Sequence, residues 1–508
     1  MPFILSSQPQ IAFHASNADR ARRRTAHKPR PVASHEILSK RLLLALAVVV
    51  SLLPACAPGH RHPNIAAIYE RAAQVSDAER NPVIVIPGIL GSRLIEQSTG
   101  TIVWGAFTGE FADPGTPAGA QLVALPMKPG TALRELRDDV DAAGVLDRLK
   151  LDLVGIPVEL NAYRNILAVL GAANYRDQQL AKSGAGVNYG DQHFTCFQFA
   201  YDWRRDNVEN AHRLLEFIKE KKVEVEAELL KRYGVRRDVK FDIVAHSMGG
   251  LVTRYCLKYG STDLPESGPP PTPTWEGARY VNRAIIVATP SSGSILSLEN
   301  LIRGKVFASF LPKYSDELLG TMPSVYQLAP RPRHNVLKDA SGATLDFYDP
   351  AVWERFGWGL AKGDDAELKK LLPDVATAEE RRSLGRDHLK KCLNRAQRFA
   401  EAMDLPATRP ESLDLVLYAG DALETPATAV VDDRGEFRIV GYAPGDGTVL
   451  RSSALMDERV GADWSPRVKS PIPWSRVQFL FDDHIGLTAS AEFADNLLYQ
   501  LLESPPRD

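Results

Sequence analysis

Long apolar runs are scarce in this chain. The longest, Leu42 to Leu53, holds twelve residues, one of them serine. A membrane-spanning helix needs about 20, so this run is too short to cross a bilayer. Cysteine is also scarce: Cys56, Cys196, Cys256 and Cys392 are the four in 508 residues. Four are too few for a disulfide scaffold, and no Cys-x-x-Cys pair or Cys/His cluster has the spacing of a metal site. The last three read as buried free thiols. Charge of one sign is lacking too. The net charge of -2 excludes the basic field that a nucleic-acid partner requires. No internal repeat recurs. What remains is globular composition, 44% hydrophobic, enough for a large core.

The first residues differ from the rest. Residues 1 to 41 hold eight Lys or Arg against two acids. With Lys40-Arg41 as its charged flank, the run from Leu42 to Leu53 fits the core of a signal peptide. It ends at Leu53-Pro54-Ala55-Cys56, which resembles a bacterial lipobox, where the cysteine becomes a lipidated first residue. Residues 1–56 are expected to be an export segment. The destination is the periplasm or outer envelope, with an anchor at Cys56 or with plain cleavage and release.

Strand and helix signals then alternate. Val83 to Ile86 is a short apolar run ended by Pro87-Gly88, as for a buried parallel strand entering a loop. Further strands are expected at Phe194 to Phe199, Lys240 to Ala245, Val281 to Ala288, Leu413 to Tyr418 and Arg476 to Phe481. Asn207 to Tyr233 reads as a helix stopped by Gly234. Shorter helices are expected at Ile65 to Gln74 and Tyr163 to Leu170, a hairpin arm at Glu436 to Val440, and a closing helix at Thr488 to Leu502. The alternation predicts an α/β fold with a mostly parallel sheet and helices on both faces. Core residues fall at about 80–290 and 406–508, with one insertion at about 96–190. A second stretch, 291–405, shows no strong strand signal. Leu298, Leu301, Ile302, Val306 and Phe310 stand there at helical spacing, as in a helical cap or in further core.

Ala245-His246-Ser247-Met248-Gly249 sits between the strand ending at Ala245 and the helix opening at Gly250. A serine on such a turn, flanked by small residues, is a nucleophile elbow. Alanine replaces the usual first glycine but is still small. A serine hydroxyl needs a base and an acid to orient that base. On this fold the chain order is serine, acid, histidine. His484 is the one histidine after Leu415. His246 adjoins the nucleophile, but neighbouring side chains diverge at an elbow. His193, His334 and His388 fall too early in the order. Two acids compete on position: Asp421, directly after Tyr418-Ala419-Gly420, and Asp446, in Gly445-Asp446-Gly447-Thr448-Val449. Asp482 and Asp483 read as solvated loop charges. The oxyanion donors are expected to be the backbone amides of Met248 and of Ile89 in Pro87-Gly88-Ile89-Leu90-Gly91.

Five segments together resemble the lecithin:cholesterol acyltransferase-like family of α/β-hydrolases, in its bacterial form. They are Pro87-Gly88-Ile89-Leu90-Gly91-Ser92-Arg93-Leu94, Tyr201-Asp202-Trp203-Arg204, the elbow at Ser247, Pro323-Ser324-Val325-Tyr326-Gln327-Leu328, and Gly445-Asp446-Gly447-Thr448-Val449. The resemblance implies that Asp446 is the acid and His484 the base. It implies a cap and lid in the insertion after Ala288-Thr289-Pro290, and a membrane-facing region in the first insertion. Trp104 there has two readings, a contact for lipid or acyl chain and a packed core aromatic. Tyr201 to Arg204 read as a buttress for the sheet edge.

The residues point to a serine acyl-ester enzyme that needs no cofactor or metal, and the resemblance implies that its esters are those of lipid metabolism. It is expected to meet a membrane surface and a phospholipid or neutral-lipid ester. It would pass the acyl group to water, as a lipase or phospholipase, or to an alcohol, as an O-acyltransferase. Two rivals stand beside this reading. One is a hydrolase of small esters or amides without interfacial binding. The other is a catalytically silent lipid-binding envelope protein.

Overall fold

A computed structural model describes residues 71–105, 111–146, 149–153, 156–160, 163–182, 187–306 and 312–504. Cys56, the export segment and most of the helix expected at Ile65 to Gln74 lie outside these. Six strands build the main sheet: β1 (Val83–Ile86), β2 (Cys196–Gln198), β3 (Phe241–His246), β4 (Val281–Val287), β5 (Asp414–Gly420) and β6 (Arg476–Leu480). Their order is β6-β5-β4-β3-β1-β2, and every neighbouring pair is parallel. The fold is therefore α/β with a parallel sheet, as the alternation predicts. β1, β3, β4 and β5 are buried at every residue. Burial on both faces is why β1 and the centres of the other three read as apolar runs rather than alternating ones; the polar residues near their starts pair with one another, Asn282 with Asp242 and Arg283 with Asp414.

Two helices pack on each other beside this sheet. α1 (Asn207–Tyr233) starts where the Asp206 carboxylate accepts from the Val208 amide and stops at Gly234, whose φ is 66°. Only glycine takes that left-handed geometry without strain. α2 (Met248–Tyr259) begins immediately after Ser247 and is buried along its whole length.

The insertions hold more strand than their sequences suggest. The first carries an antiparallel sheet of Ser92–Glu96, Ile102–Trp104 and Val140–Val145, and a hairpin of Leu149–Leu153 with Ile156–Leu160. The expected helix is there, at Arg164–Ala172. Strands this short, interrupted by register shifts, leave no run of alternation long enough to read. The second insertion is mainly helical, and its longest element is α3 (Ala378–Asp404), opened by a Thr377/Glu380 capping box. Leu298, Leu301 and Ile302 are buried on the helix Ile295–Arg303, which ends at Gly304. Val306 is exposed beyond that end, and Phe310 is outside the described residues. This insertion also supplies one strand, Leu337–Asp339, to the hairpin formed by Leu423–Val431 and Phe437–Gly445.

The insertion is tied to the elbow helix. Arg254 and Lys258 of α2 donate to the carbonyls of Met403 and Ala402, at 3.3 and 2.9 Å, and the Tyr259 hydroxyl donates to Ala402 at 2.6 Å. These are last-turn carbonyls of α3, so α2 caps its C-terminal end.

Close approach explains the two glycines after the elbow. A Cβ on Gly249 would collide with the Pro87 and Ile86 carbonyls, and one on Gly250 with the Thr289 hydroxyl. That hydroxyl donates to the Ser247 carbonyl at 2.8 Å. Gly250→Ala is therefore expected to cost about 1–3 kcal/mol of stability through overpacking, read as a lower urea midpoint at unchanged slope. An unshifted midpoint would contradict this packing.

Candidate active site

The residues singled out in the sequence follow the carboxyl ends of four strands, where ligands of open α/β sheets bind. Pro87 to Gly91 follows β1, Ser247 follows β3, Asp446 ends the hairpin after β5, and His484 follows β6. Ser247 has φ 53° and ψ -127°. For a residue with a Cβ this is strained. Its amide donates to the Val287 carbonyl at 2.8 Å, and Thr289 holds its carbonyl, so both ends of the turn are fixed.

Ser247 Oγ lies 3.0 Å from His484 Nε2, and His484 Nδ1 lies 2.9 Å from Asp446 Oδ2. The other carboxylate oxygen of Asp446 accepts from the amides of Thr448 and Val449, at 2.9 and 2.7 Å. The His484 amide donates to the Asp446 carbonyl at 3.0 Å. Burial works against ionisation of Asp446, but facing His484 and the two amides outweigh it and hold the carboxyl below its ordinary range. The Asp446 carboxylate is thus a charged acceptor with its second oxygen already occupied, which fixes the imidazole in one orientation. Asp421, the competing acid, pairs instead with Arg451 at 3.0 Å. Gly420 separates the two: a Cβ there would strike the Asp446 side chain.

The loop after β1 packs on the serine. A Cβ on Gly88 would sit 2.7 Å from Ser247 Cβ. Leu90 adopts φ 65°, a second strained residue, in the loop that packs on the serine. The amides of Ile89 and Met248, the expected oxyanion donors, have no acceptor among the described residues. Several partners hold the loop. Tyr201 Oη donates to the Pro87 carbonyl at 2.8 Å, the Ser92 hydroxyl accepts from the Tyr201 amide at 3.1 Å, and Trp203 Nε1 donates to the Ser92 carbonyl at 3.2 Å. Arg204 is fully buried between Asp202 and Asp138, at 2.8 and 2.7 Å. Tyr201 to Arg204 is therefore the buttress that the sequence suggests. Ser324 donates to the Trp203 carbonyl of this segment, and Gln327 accepts from the Asn207 amide at the start of α1. Pro290 to Ser294 holds the acid loop: Ser294 Oγ donates to the Thr448 carbonyl at 2.6 Å.

Trp104 is 3% exposed. It packs edge-on against Trp203 and Tyr314, and its Nε1 donates to the Leu90 carbonyl at 2.8 Å. Of its two readings, the packed aromatic is the one this geometry matches. Cavity size does not locate the site. A concavity of about 950 Å³ is lined by Arg333, Arg409, Glu458 and Lys469 and includes none of the residues above.

Two residues here escape the sequence. His246 is buried, with Nδ1 3.2 Å from Tyr163 Oη and Nε2 2.9 Å from the His484 carbonyl. Tyr163 Oη also accepts from the Gly88 amide at 2.7 Å. Burial, reinforced by the neighbouring His484, pushes His246 down to about 3. An unfolded imidazole takes up its proton below pH ~6.5. In the window between, the unfolded chain binds one more proton, so acid favours unfolding. His246→Gln is expected to flatten the fall in unfolding free energy between pH 6 and 4, by about 1.4 kcal/mol per pH unit at most. Parallel urea titrations of the two proteins would measure it, and identical slopes would refute it.

The lecithin:cholesterol acyltransferase family model matches residues 179–355. That span holds the Tyr201 to Arg204 buttress, the elbow and the Pro323 to Leu328 segment. A search of curated proteins gives no match. Among solved structures, the Tle4–Tli4 complex aligns at 16% identity over 84% of this chain and 99% of that one, with a TM-score of 0.49. Lipase 1 from Pelosinus fermentans aligns at 11% identity over 84% and 99%, TM-score 0.32. EstA from Clostridium botulinum aligns at 12% over 84% and 88%, TM-score 0.32.

Proposed function

We propose that this chain, which resembles the lecithin:cholesterol acyltransferase family and matches its model over residues 179–355, is a serine acyl-ester enzyme acting on lipids. One observation carries the reading: the unbroken run of hydrogen bonds from Ser247 through His484 to Asp446. Ser247 Oγ attacks the ester carbonyl while His484 Nε2 takes its proton. Asp446 stabilises the imidazolium that forms. The amides of Ile89 and Met248 receive the negative charge that develops on the carbonyl oxygen, each worth roughly 3 kcal/mol of barrier. His484 then returns the proton to the leaving alcohol, and an acyl-enzyme remains on Ser247. Water releases it in a lipase or phospholipase. A second alcohol releases it in an O-acyltransferase. Both outcomes use the same residues and differ in how water is kept out while the acceptor binds. No step calls for a metal or cofactor.

Mass spectrometry of products from mixed phospholipids, with and without a sterol, distinguishes these outcomes. Free fatty acid in both reactions identifies hydrolysis, and sterol ester identifies transfer. Turnover of p-nitrophenyl butyrate with no lipid product, and no gain at aggregated substrate, would replace the lipid reading with that of a small-ester hydrolase.

The same reading extends to the N-terminus. The basic stretch, the apolar run from Leu42 to Leu53 and Cys56 support export to the periplasm or outer envelope, with a lipid anchor at Cys56 that brings the enzyme to a membrane surface. Intact mass of the membrane-extracted protein tests this. A chain beginning at unmodified Ala57, or one retaining residues 1–56, would overturn the anchor.

A further inference from the structure

His246 is next in sequence to the proposed nucleophile, yet its ring faces the other loops of the site. Its Nε2 has a backbone carbonyl as partner, that of His484, at 2.9 Å. A carbonyl only accepts, so the proton of the neutral ring sits on Nε2. Nδ1 then carries a lone pair and accepts from Tyr163 Oη, 3.2 Å away. Tyr163 Oη, its own proton so used, accepts from the Gly88 amide at 2.7 Å. Every donor and acceptor in this row is matched, and only one arrangement of protons satisfies it. The row joins two loops that are otherwise remote in sequence. One end is Gly88, beside the Ile89 amide; the other is the backbone of His484.

The surroundings leave the row little freedom. Gly91 lies against the Tyr163 ring, where a Cβ would stand 2.8 Å from the nearest ring carbon. The His246 and His484 rings have centroids 4.9 Å apart. Both His246 and Tyr163 are almost wholly buried, so water does not readily substitute for either partner.

We infer that His246 is a positioning residue that, through Tyr163, clamps the loop of the oxyanion amides to the loop of the base His484. This rests on the serine mechanism proposed above. His246 touches neither substrate nor Ser247 Oγ in that role. It sets the distance between His484 Nε2 and the oxyanion amides, so that both meet one tetrahedral carbon. A displacement of about 1 Å at such a site costs up to about 100-fold in rate.

Steady-state turnover of p-nitrophenyl butyrate by four variants tests the clamp. His246→Gln keeps an N–H at the position of Nε2 and so reaches the His484 carbonyl, but it leaves Tyr163 without its acceptor. His246→Asn is shorter and keeps only the side facing Tyr163. His246→Leu keeps neither bond. Expected is a loss in kcat of about 10- to 100-fold for Leu, with KM little changed, and a smaller loss for Gln and for Asn, since each keeps one of the two bonds. Tyr163→Phe should lose kcat as well, and the Tyr163→Phe/His246→Leu pair should lose less than the product of its single losses. The downfield proton resonance between His484 and Asp446 should persist in the Gln variant and broaden in the Asn variant. Wild-type kcat in the Leu protein would overturn the clamp, as would strictly multiplicative losses in the pair. Ser247→Ala, run alongside, separates the two ideas. Wild-type turnover in that variant would refute the serine mechanism itself, whereas its loss beside an unimpaired His246→Leu would refute only the clamp.

Discussion

Ser247→Ala is expected to lower turnover of a p-nitrophenyl ester by about four to six orders of magnitude, with the fold intact. The magnitude follows from what the hydroxyl alone supplies. Ser247 holds φ 53°, and the strain is offset by fixed partners: its amide on Val287, its carbonyl on Thr289 and the close contact with Gly88. None of these uses the hydroxyl, so alanine fits the same turn. The amides of Ile89 and Met248 also survive. What goes is the atom that attacks, together with the acceptor route for its proton at 3.0 Å. A serine, a base and an acid act as one unit, so removing the serine costs nearly what removing all three would. Residual rate over water comes only from the oxyanion donors and substrate binding. A fluorophosphonate probe gives a second reading: it should label the wild type and not the variant. Equal labelling of the two would make this chain the catalytically silent lipid-binding protein instead, or move the nucleophile elsewhere.

How much of this site could be read from the sequence depended on how local each signal is. Val83 to Ile86 is legible because a strand buried on both faces is apolar at each position; Phe241 to Ala245 is apolar apart from Asp242, which Asn282 pairs. The elbow is legible because its glycines meet backbone carbonyls and a hydroxyl, so residue size is constrained within five positions. His484 follows from chain order and from being the one histidine in that region. Tyr163 offers no such signal. It lies 75 residues from Gly88, and nothing near it in sequence marks it. His246 stands in plain view within the elbow, but its partners are set by the loops that three different strands deliver. The strand Leu423–Val431 is hidden for another reason. Pro426 reads as a breaker, and in the structure it stands beside a register shift, where proline is tolerated. The choice of acid was open on position alone, because both candidates follow β5. The resemblance implies Asp446, and the structure pairs that carboxylate with His484 and Asp421 with Arg451.

Asp446→Asn against Asp421→Asn is the second large contrast. Asp446→Asn should cost about 10⁴-fold in kcat, whereas Asp421→Asn should leave it near wild type. The amide of asparagine keeps one oxygen for Thr448 and Val449, so the loop retains its hydrogen bonds. Toward His484 Nδ1 it presents N–H in place of an oxygen. The ring must then accept at Nδ1 and carry its proton on Nε2, the atom that should take the proton from Ser247. It also loses the negative charge that stabilises the imidazolium. Asp421 faces a different partner. Its ion pair with Arg451 is partly solvated, and such pairs contribute about 0–1 kcal/mol, so its loss touches stability slightly and chemistry hardly at all. The unfolding midpoints of the two variants should be measured beside kcat, since a folded, inactive Asp446→Asn isolates the tautomer effect. Loss of turnover in Asp421→Asn, with Asp446→Asn near wild type, would reverse the assignment. It would also require His484 to turn away from the loop whose backbone it now bonds.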